Sequence, residues 1–372
     1  MNTRVFSKNP VDIPLLGATI LLVAVGLITI YDASVVAAFR DFGDKLYYFK
    51  NQLIWASLGF MAMALFSFFD YHKLIKYAPI FLLASVFLLI IVLIPGIGTK
   101  VYGARRWISI ANFTFQPSEI AKITLILYQT SIIARFEKAR IKLLDAAIVI
   151  FLPAAFVSGL VLIQPDLGTA LIFIGITLTM YFAGGGKIIH FLAAIPLIIL
   201  AAIMSIVTHP YRIDRLKSLL DPTHDPQGAS YQIYQILIAI SSGGFLGVGI
   251  GSSRSKFAFI PEVQSDAIFA VFVEELGFVG AIFLIGLFVF LISRAINIAR
   301  HAPDHHGKIL AMGIVGLISI QSLFNLASIV ALVPLTGVPL PFISYGGSSL
   351  FVTMAAIGIL LNIRKQRFEK SR

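Results

Sequence analysis

The sequence predicts an all-α polytopic membrane protein of about ten transmembrane helices, with one large extracellular loop between the seventh and eighth. Three observations carry this. Hydrophobic residues make up 58% of the 372 residues and charged residues only 13%, against roughly 25% charged in soluble domains. The apolar residues fall into runs of about 18 to 25, each long enough to cross a bilayer as a helix. The runs are continuously apolar rather than alternating, which favours helices over a barrel.

The predicted spans lie near 13–31, 52–69, 75–94, 117–134, 144–163, 167–183, 188–207, 267–293, 308–333 and 347–363. The first is too long and too uncharged at its end for a cleaved signal, so it reads as a retained helix. An even number of spans puts both termini on one side. Loops on that side hold about 16 Lys and Arg and the opposite loops about 11, so the positive-inside rule places both ends in the cytoplasm. The run Arg364–Arg372 marks topology in this reading, in preference to a lipid-binding patch. The net charge of +11 clusters at helix ends. Topology explains it better than nucleic acid does.

The loops are short except one, and none holds a soluble domain, so residues 1–372 read as a single integral membrane domain. The exception, 208–266, is nearly 60 residues long. Loops longer than about 15 residues are usually functional or disordered. Within it Asp221–Gly228 is turn chemistry, Tyr231–Ile240 suits a helix lying at the surface, and Gly243–Gly251 is too irregular to span. Gly247-Val-Gly-Ile-Gly251 has no βαβ frame around it, and no G-x-x-x-x-G-K-[ST] occurs. Both facts point away from an ATP-driven pump. There are no cysteines, which excludes disulfides, thiolate catalysis and Cys-based zinc sites.

Carboxylates at membrane depth are expensive and are functional candidates by default. Asp266 ends the long loop, and Glu274 and Glu275 lie about two turns into the following helix. At least one of those two glutamates should face the protein interior. Asp266 has two readings: an N-cap for that helix, or a general base for a bound hydroxyl at the membrane–water boundary. Arg254, Lys256, Phe257 and Phe259 just before it favour the second. Glu119 and Lys122, spaced i, i+3, suit either a structural ion pair or a place in the site. Arg105 and Arg106 stand on the outer side against the charge trend. Paired guanidinium groups suit a pyrophosphate, and lipid headgroups are the alternative. Asp166, in Gln-Pro-Asp-Leu-Gly168, suits a turn, or a divalent cation beside a pyrophosphate. Pro339–Ser349 reads as an irregular lead into the last helix, its small residues permitting close packing.

Several of these runs together, in order, carry a resemblance: Tyr31-Asp-Ala-Ser34, Gly103-Ala-Arg-Arg-Trp-Ile108 with Phe115-Gln-Pro-Ser-Glu-Ile-Ala-Lys122, Phe259–Gly277, and Pro339-Leu-Pro-Phe-Ile-Ser-Tyr-Gly-Gly-Ser-Ser349. They resemble the SEDS family of bacterial peptidoglycan glycosyltransferases over almost the whole chain. Asp44–Trp55, Gly103–Trp107 and Ser241–Arg254 look more like its division branch, FtsW, than its elongation branch, RodA. The resemblance implies polymerisation of lipid II into glycan strands at the outer face of the bacterial cytoplasmic membrane, for septal wall synthesis. It places the essential loop aspartate on Asp266 and the membrane Glu and Lys on Glu119 and Lys122. It also implies a class B penicillin-binding protein as partner, with other division or elongation complex membrane proteins. In the expected reaction Asp266 deprotonates the acceptor sugar. Arg105, Arg106 and Lys256 join Glu119 and Lys122 in binding substrate, a divalent cation (Mg or Mn) is a candidate at Asp166, and no organic cofactor is expected. Relatives usually carry His-Thr before the aspartate, where this chain has Gln264 and Ser265. The rival classes are a flippase for lipid-linked precursors and a non-catalytic scaffold for the penicillin-binding protein.

Overall fold

A computed structural model describes residues 11–101, 104–110, 113–136, 146–190, 210–221, 230–256 and 260–370, with isolated positions in 191–209 and 222–229. The helices of its first half are α1 (Ile13–Phe42), α2 (Tyr47–Phe68), α3 (Tyr71–Lys76), α4 (Ala78–Ile91), α5 (Pro117–Ile133) and α6 (Leu152–Ile163). Then come α7 (Leu167–Ala183), α8 (Pro210–Leu220), α9 (Tyr231–Gly243), α10 (Ile268–Arg300), α11 (His305–Ile329) and α12 (Gly347–Lys370). Among the described residues α1, α2, α10, α11 and α12 are long and apolar enough to cross a membrane, and α4, α6 and α7 are shorter apolar helices. Phe68, Leu83 and Leu323 are each at least 69% exposed on their outer faces. Such surface suits lipid contact and would be a liability in water. The protein is an all-α polytopic membrane protein.

Several predicted boundaries move. The first span continues past 31 to Phe42, because Asp32 is neutralised inside the protein rather than marking the helix end. The third becomes short α3 followed by α4, which opens on Pro79. The fifth opens with a π-helical turn over Ala147–Phe151. The seventh, 188–207, lies largely outside the described residues. Between the third and fourth predicted spans lies a small antiparallel sheet of β1 (Gly98–Val101), β2 (Ala104–Ile110) and β3 (Phe113–Phe115), in that spatial order. Ile108 stands opposite both Gly98 and Phe115.

Close packing of α2 on α12 bears out the small-residue reading of the last helix. A Cβ at Gly358 would sit 2.4 Å from the Met63 carbonyl oxygen, and one at Gly347 would sit 2.1 Å from the Trp55 ring. The two ends of the chain meet nearby. Asp12 is fully buried, caps α1 through Leu15 N–H at 3.0 Å, and pairs with Arg294 of α10 at 2.8 Å and with Arg364 of α12. The start of α1 and the far end of α12 therefore share one end of the bundle. Asp266, at the other end of α10, lies at the opposite end.

The glycine-dense stretch is explained by a break in α10. Gly277 has φ +64, so the helix does not continue through it. The freed backbone groups are taken up by the segment after α9. Val248 N–H donates to the Glu274 carbonyl at 3.0 Å and Gly249 N–H to Glu275 at 3.1 Å, while Phe278 and Val279 N–H donate back to the Gly244 and Phe245 carbonyls at 3.0 and 3.2 Å. Irregular backbone at membrane depth is tolerated only when protein satisfies it. The exchange needs two backbones in contact: a Cβ at Gly247 would lie 2.0 Å from Glu275 O, and one at Gly277 2.3 Å from Gly247 N. Gly277→Ala meets both the wrong φ and backbone atoms that cannot yield. We expect a drop in melting temperature and in detergent-soluble yield, whereas Gly286→Ala, with open space around its Cβ, should leave both near wild type.

Candidate active site

Asp266 precedes α10 but does not cap it. The cap position is Ala267, and no side chain accepts a hydrogen bond there. The backbone carbonyl of Asp266 is fixed instead, accepting from Asn325 Nδ2 at 2.8 Å; the same amide donates to Val338 O at 2.8 Å. Gln264 accepts at its carbonyl from Tyr345 N–H at 2.9 Å. The Ser265 hydroxyl donates to Glu262 O at 2.9 Å and lies 3.3 Å from Asp266 Oδ1. The half-buried carboxylate is thus held in place through its backbone. Burial pushes its pKa above the usual carboxylate range, Arg215 opposes the shift, and Glu262 adds to it.

Glu119 and Lys122 are 3% and 1% exposed and pair at 2.8 Å. Lys122 Nζ also donates to Gln321 Oε1 at 2.8 Å, and Gln321 Nε2 donates to Pro339 O at 3.0 Å. One buried chain of bonds therefore ties α5 to α11 and to the Pro339–Ser349 run. That run bears on Asp266 through Tyr345 and Gln264. Glu119 and Lys122 are thereby linked, through Gln321, to the run that bonds the neighbour of Asp266.

Arg105 and Arg106 do not form the expected paired grip. They are consecutive in β2, and successive strand residues point to opposite faces, so one phosphate cannot meet both in the same way. Arg106 donates to the Gln164 carbonyl at 2.9 Å and to Pro165 O, and its guanidinium lies 3.9 Å from Asp166. Arg106 is therefore anchored to the turn that precedes α7, with part of its side chain still exposed. Asp166 is 5% exposed and caps α7, accepting from Thr169 N–H at 3.0 Å and from its hydroxyl at 2.9 Å; Gln116 Nε2 adds a bond at 3.3 Å. Both Asp166 oxygens are engaged by donors. Among the described residues no three His, Asp or Glu side chains converge as a cation site. The donor set at Asp166 does not suit a resident cation, so no step is assigned to one.

Lys256 lies inside the protein. It is 5% exposed and donates to Gly251 O at 2.7 Å, to Asp32 at 2.9 Å and to Glu275 at 3.4 Å. All three of its protons have partners inside the protein. Glu274 and Glu275 both turn inward, as at least one was expected to. Glu275 accepts from Gly251 and Ser253 N–H at 3.1 and 3.2 Å, and Glu274 from Arg254 N–H at 3.0 Å and the Ser253 hydroxyl at 2.5 Å. Together they clamp residues 251–256 onto α10, ahead of Asp266.

Sequence reading passed over Gln321, Asn325, Arg212 and Arg215. The first two were visible as polar residues four apart in an apolar helix. The arginines were visible as basic residues three apart, in a loop where positive charge is disfavoured if it faces outward.

A polytopic helical membrane protein, with a backbone-fixed carboxylate at one end and Arg215 close enough to act on its charge, defines the class of integral membrane proteins with an acid–base site at the membrane boundary. Comparison narrows the class. The chain belongs to the FtsW/RodA/SpoVE family of cell cycle proteins, whose family model matches residues 14–369. It is 40% identical over 363 residues to Stage V sporulation protein E of Bacillus subtilis, covering 96% of this chain and 98% of that one. It is 41% identical over 354 residues to the probable peptidoglycan glycosyltransferase FtsW of Trichlorobacter lovleyi, covering 95% and 92%. Among solved structures it resembles a chain of a peptidoglycan synthase complex that coordinates polymerization and crosslinking, with TM-score 0.79, 29% identity and coverage of 96% and 98%. It also resembles the rod shape determining protein RodA of Thermus thermophilus, with TM-score 0.70, 28% identity and coverage of 96% and 97%.

Breaking the buried pair tests its coupling. Lys122→Met alone leaves Glu119 charged and unpaired, a loss of about 3–5 kcal/mol in stability. Glu119→Gln with Lys122→Met should recover much of that, read as coupling in a double-mutant cycle on the melting transition.

Proposed function

We propose that this protein polymerises lipid II into glycan strands for septal wall synthesis, with Asp266 as general base. The single observation that carries the chemical assignment is the uncapped, backbone-anchored Asp266 carboxylate. A helix acid serving structure would spend its oxygens on the first turn, and this one does not. Its raised pKa makes it a stronger base than an exposed aspartate once deprotonated.

The acceptor sugar's 4-hydroxyl gives its proton to Asp266. Its oxygen bonds to the anomeric carbon of the growing strand as the bond from that carbon to the diphosphate breaks. The electron pair leaves with polyprenyl diphosphate, and the α-linked donor becomes a β-linked product by inversion. Arg106 is the member of the expected arginine pair on the same side as Asp166. The similarity to a complex that couples polymerization to crosslinking supports a class B penicillin-binding protein as partner. The charge bias and the shared end of α1 and α12 support cytoplasmic termini, with Asp266 outside.

Two outcomes follow. Asp266→Asn keeps size and hydrogen bonding, so the protein should fold and retain its partner, yet polymerise about 10²–10⁴ times more slowly. A carboxyl with raised pKa destabilises the fold as pH rises through that pKa, because its charged form is disfavoured. The Asn variant should therefore melt no lower than wild type at pH 7. Polymer yield, melting temperature and lipid II transfer across liposomes, measured on one preparation, separate polymerase from flippase and scaffold. The chain has no cysteine, so orientation is testable with an impermeant maleimide: Thr223→Cys should label in intact cells and Ser371→Cys should not.

A further inference from the structure

Helix α8 brings one arginine toward Asp266 and another toward Asp166. Arg212 and Arg215 lie three residues apart on it, so they share one face. Arg215 donates to the Leu335 carbonyl and is close enough to Asp266 to act on its charge. Arg212 is 8% exposed and near enough to Arg106 and Asp166 to feel their charges. Burial and the like charge of Arg106 weaken its hold on its proton, while Asp166 strengthens it. Asp166 thus stands between two guanidinium groups that repel each other.

Segment 335–338 joins the two groups. A Cβ on Gly168, next to the cap of α7, would strike Val338 at 2.6 Å and Thr336 at 2.9 Å. A Cβ on Gly337 would stand 3.8 Å from Asp266 Oδ2. Between them the Thr336 hydroxyl is buried without a hydrogen-bond partner. The charged groups facing this space are Arg106 from β2, Asp166 from α7, Arg212 and Arg215 from α8, and Asp266 with Glu262 before α10. Arg215 near Asp266, Arg106 and Arg212 near Asp166, and an idle buried hydroxyl on the segment that joins the two acids make a setting suited to an anion.

We propose that Arg106, Arg212 and Arg215, with Thr336, bind the diphosphate of a lipid-linked sugar beside Asp266, so that the leaving group is held by α8 rather than by an Arg105–Arg106 pair. This deepens the polymerase reading and rests on it for the identity of the ligand. Residues three apart on a helix stand about 5–6 Å apart, which lets Arg212 and Arg215 meet linked phosphates rather than one. Guanidinium groups grip phosphate oxygens bidentately, and lysine in their place does so only as a point charge.

The test uses the purified full chain in detergent. Geranylgeranyl diphosphate, geranylgeranyl monophosphate and inorganic pyrophosphate are titrated into wild type, Arg212→Gln, Arg212→Lys and Lys217→Gln, with lipid II polymerisation measured in parallel. Lys217 is exposed on the same helix, so it reports loss of charge alone. We expect Arg212→Gln to weaken diphosphate binding about 10-fold or more and to raise KM for lipid II, with Arg212→Lys intermediate and Lys217→Gln unchanged. The monophosphate should bind wild type more weakly and change less. Wild-type diphosphate affinity in Arg212→Gln, or equal losses in Arg212→Gln and Lys217→Gln, overturns the cradle even if the wild type polymerises. Selective diphosphate binding by a wild type that makes no polymer would support the cradle and remove the polymerase reading. If Arg212→Gln fails to fold, the Arg212→Lys affinity decides: no loss there overturns the proposal.

Discussion

A charge or a peptide dipole left alone in a low-dielectric interior costs several kcal/mol, and this protein meets that constraint by local pairing. Lys122 has Glu119 and Gln321. Lys256 has Asp32, Glu275 and a carbonyl. Asp12 has two arginines. The break at Gly277 is closed by backbone bonds from a neighbouring segment. Each solution joins elements distant in sequence, so the groups that are hardest to bury also fix the helices relative to one another.

Against that pattern Asp266 stands out. Its backbone is anchored by Asn325 and its neighbour Gln264 by Tyr345, yet its carboxylate is not committed to the helix that follows. The fold supports its position without consuming its chemistry. Glu274 and Glu275, only a few residues further on, are the reverse: buried and occupied by backbone N–H groups. These three acids thus divide into one whose carboxylate is not spent on the following helix and two that hold a loop.

How much of this was legible in the sequence depended on which signal was local. Apolar runs set the helices well, because bilayer thickness fixes their length. The helix through Asp32 ran longer than expected because its partner, Lys256, lies 224 positions away. The same partnership buries Lys256, which spacing alone could not reveal. The arginine pair failed for a local reason: residues 104–110 are a strand, and a strand turns neighbours apart. Short strands in an outer loop leave little apolar alternation to read. The Glu119–Lys122 spacing was legible, since i, i+3 on a helix is a contact, but its continuation to Gln321 was not.

The clasp at Asp12 has a consequence for how the chain is made. Its second arginine, Arg364, follows 352 residues later, near the end of the last helix. While synthesis proceeds, α1 enters the bilayer with a carboxylate whose final partners do not yet exist. At a synthesis rate of about 5–20 residues per second, that wait lasts on the order of tens of seconds. During it Asp12 must stay hydrated at the membrane surface or borrow a temporary cation. The first helix therefore cannot take its final seat until the last has been inserted, and assembly of the bundle is closed by its two ends rather than built outward from its beginning.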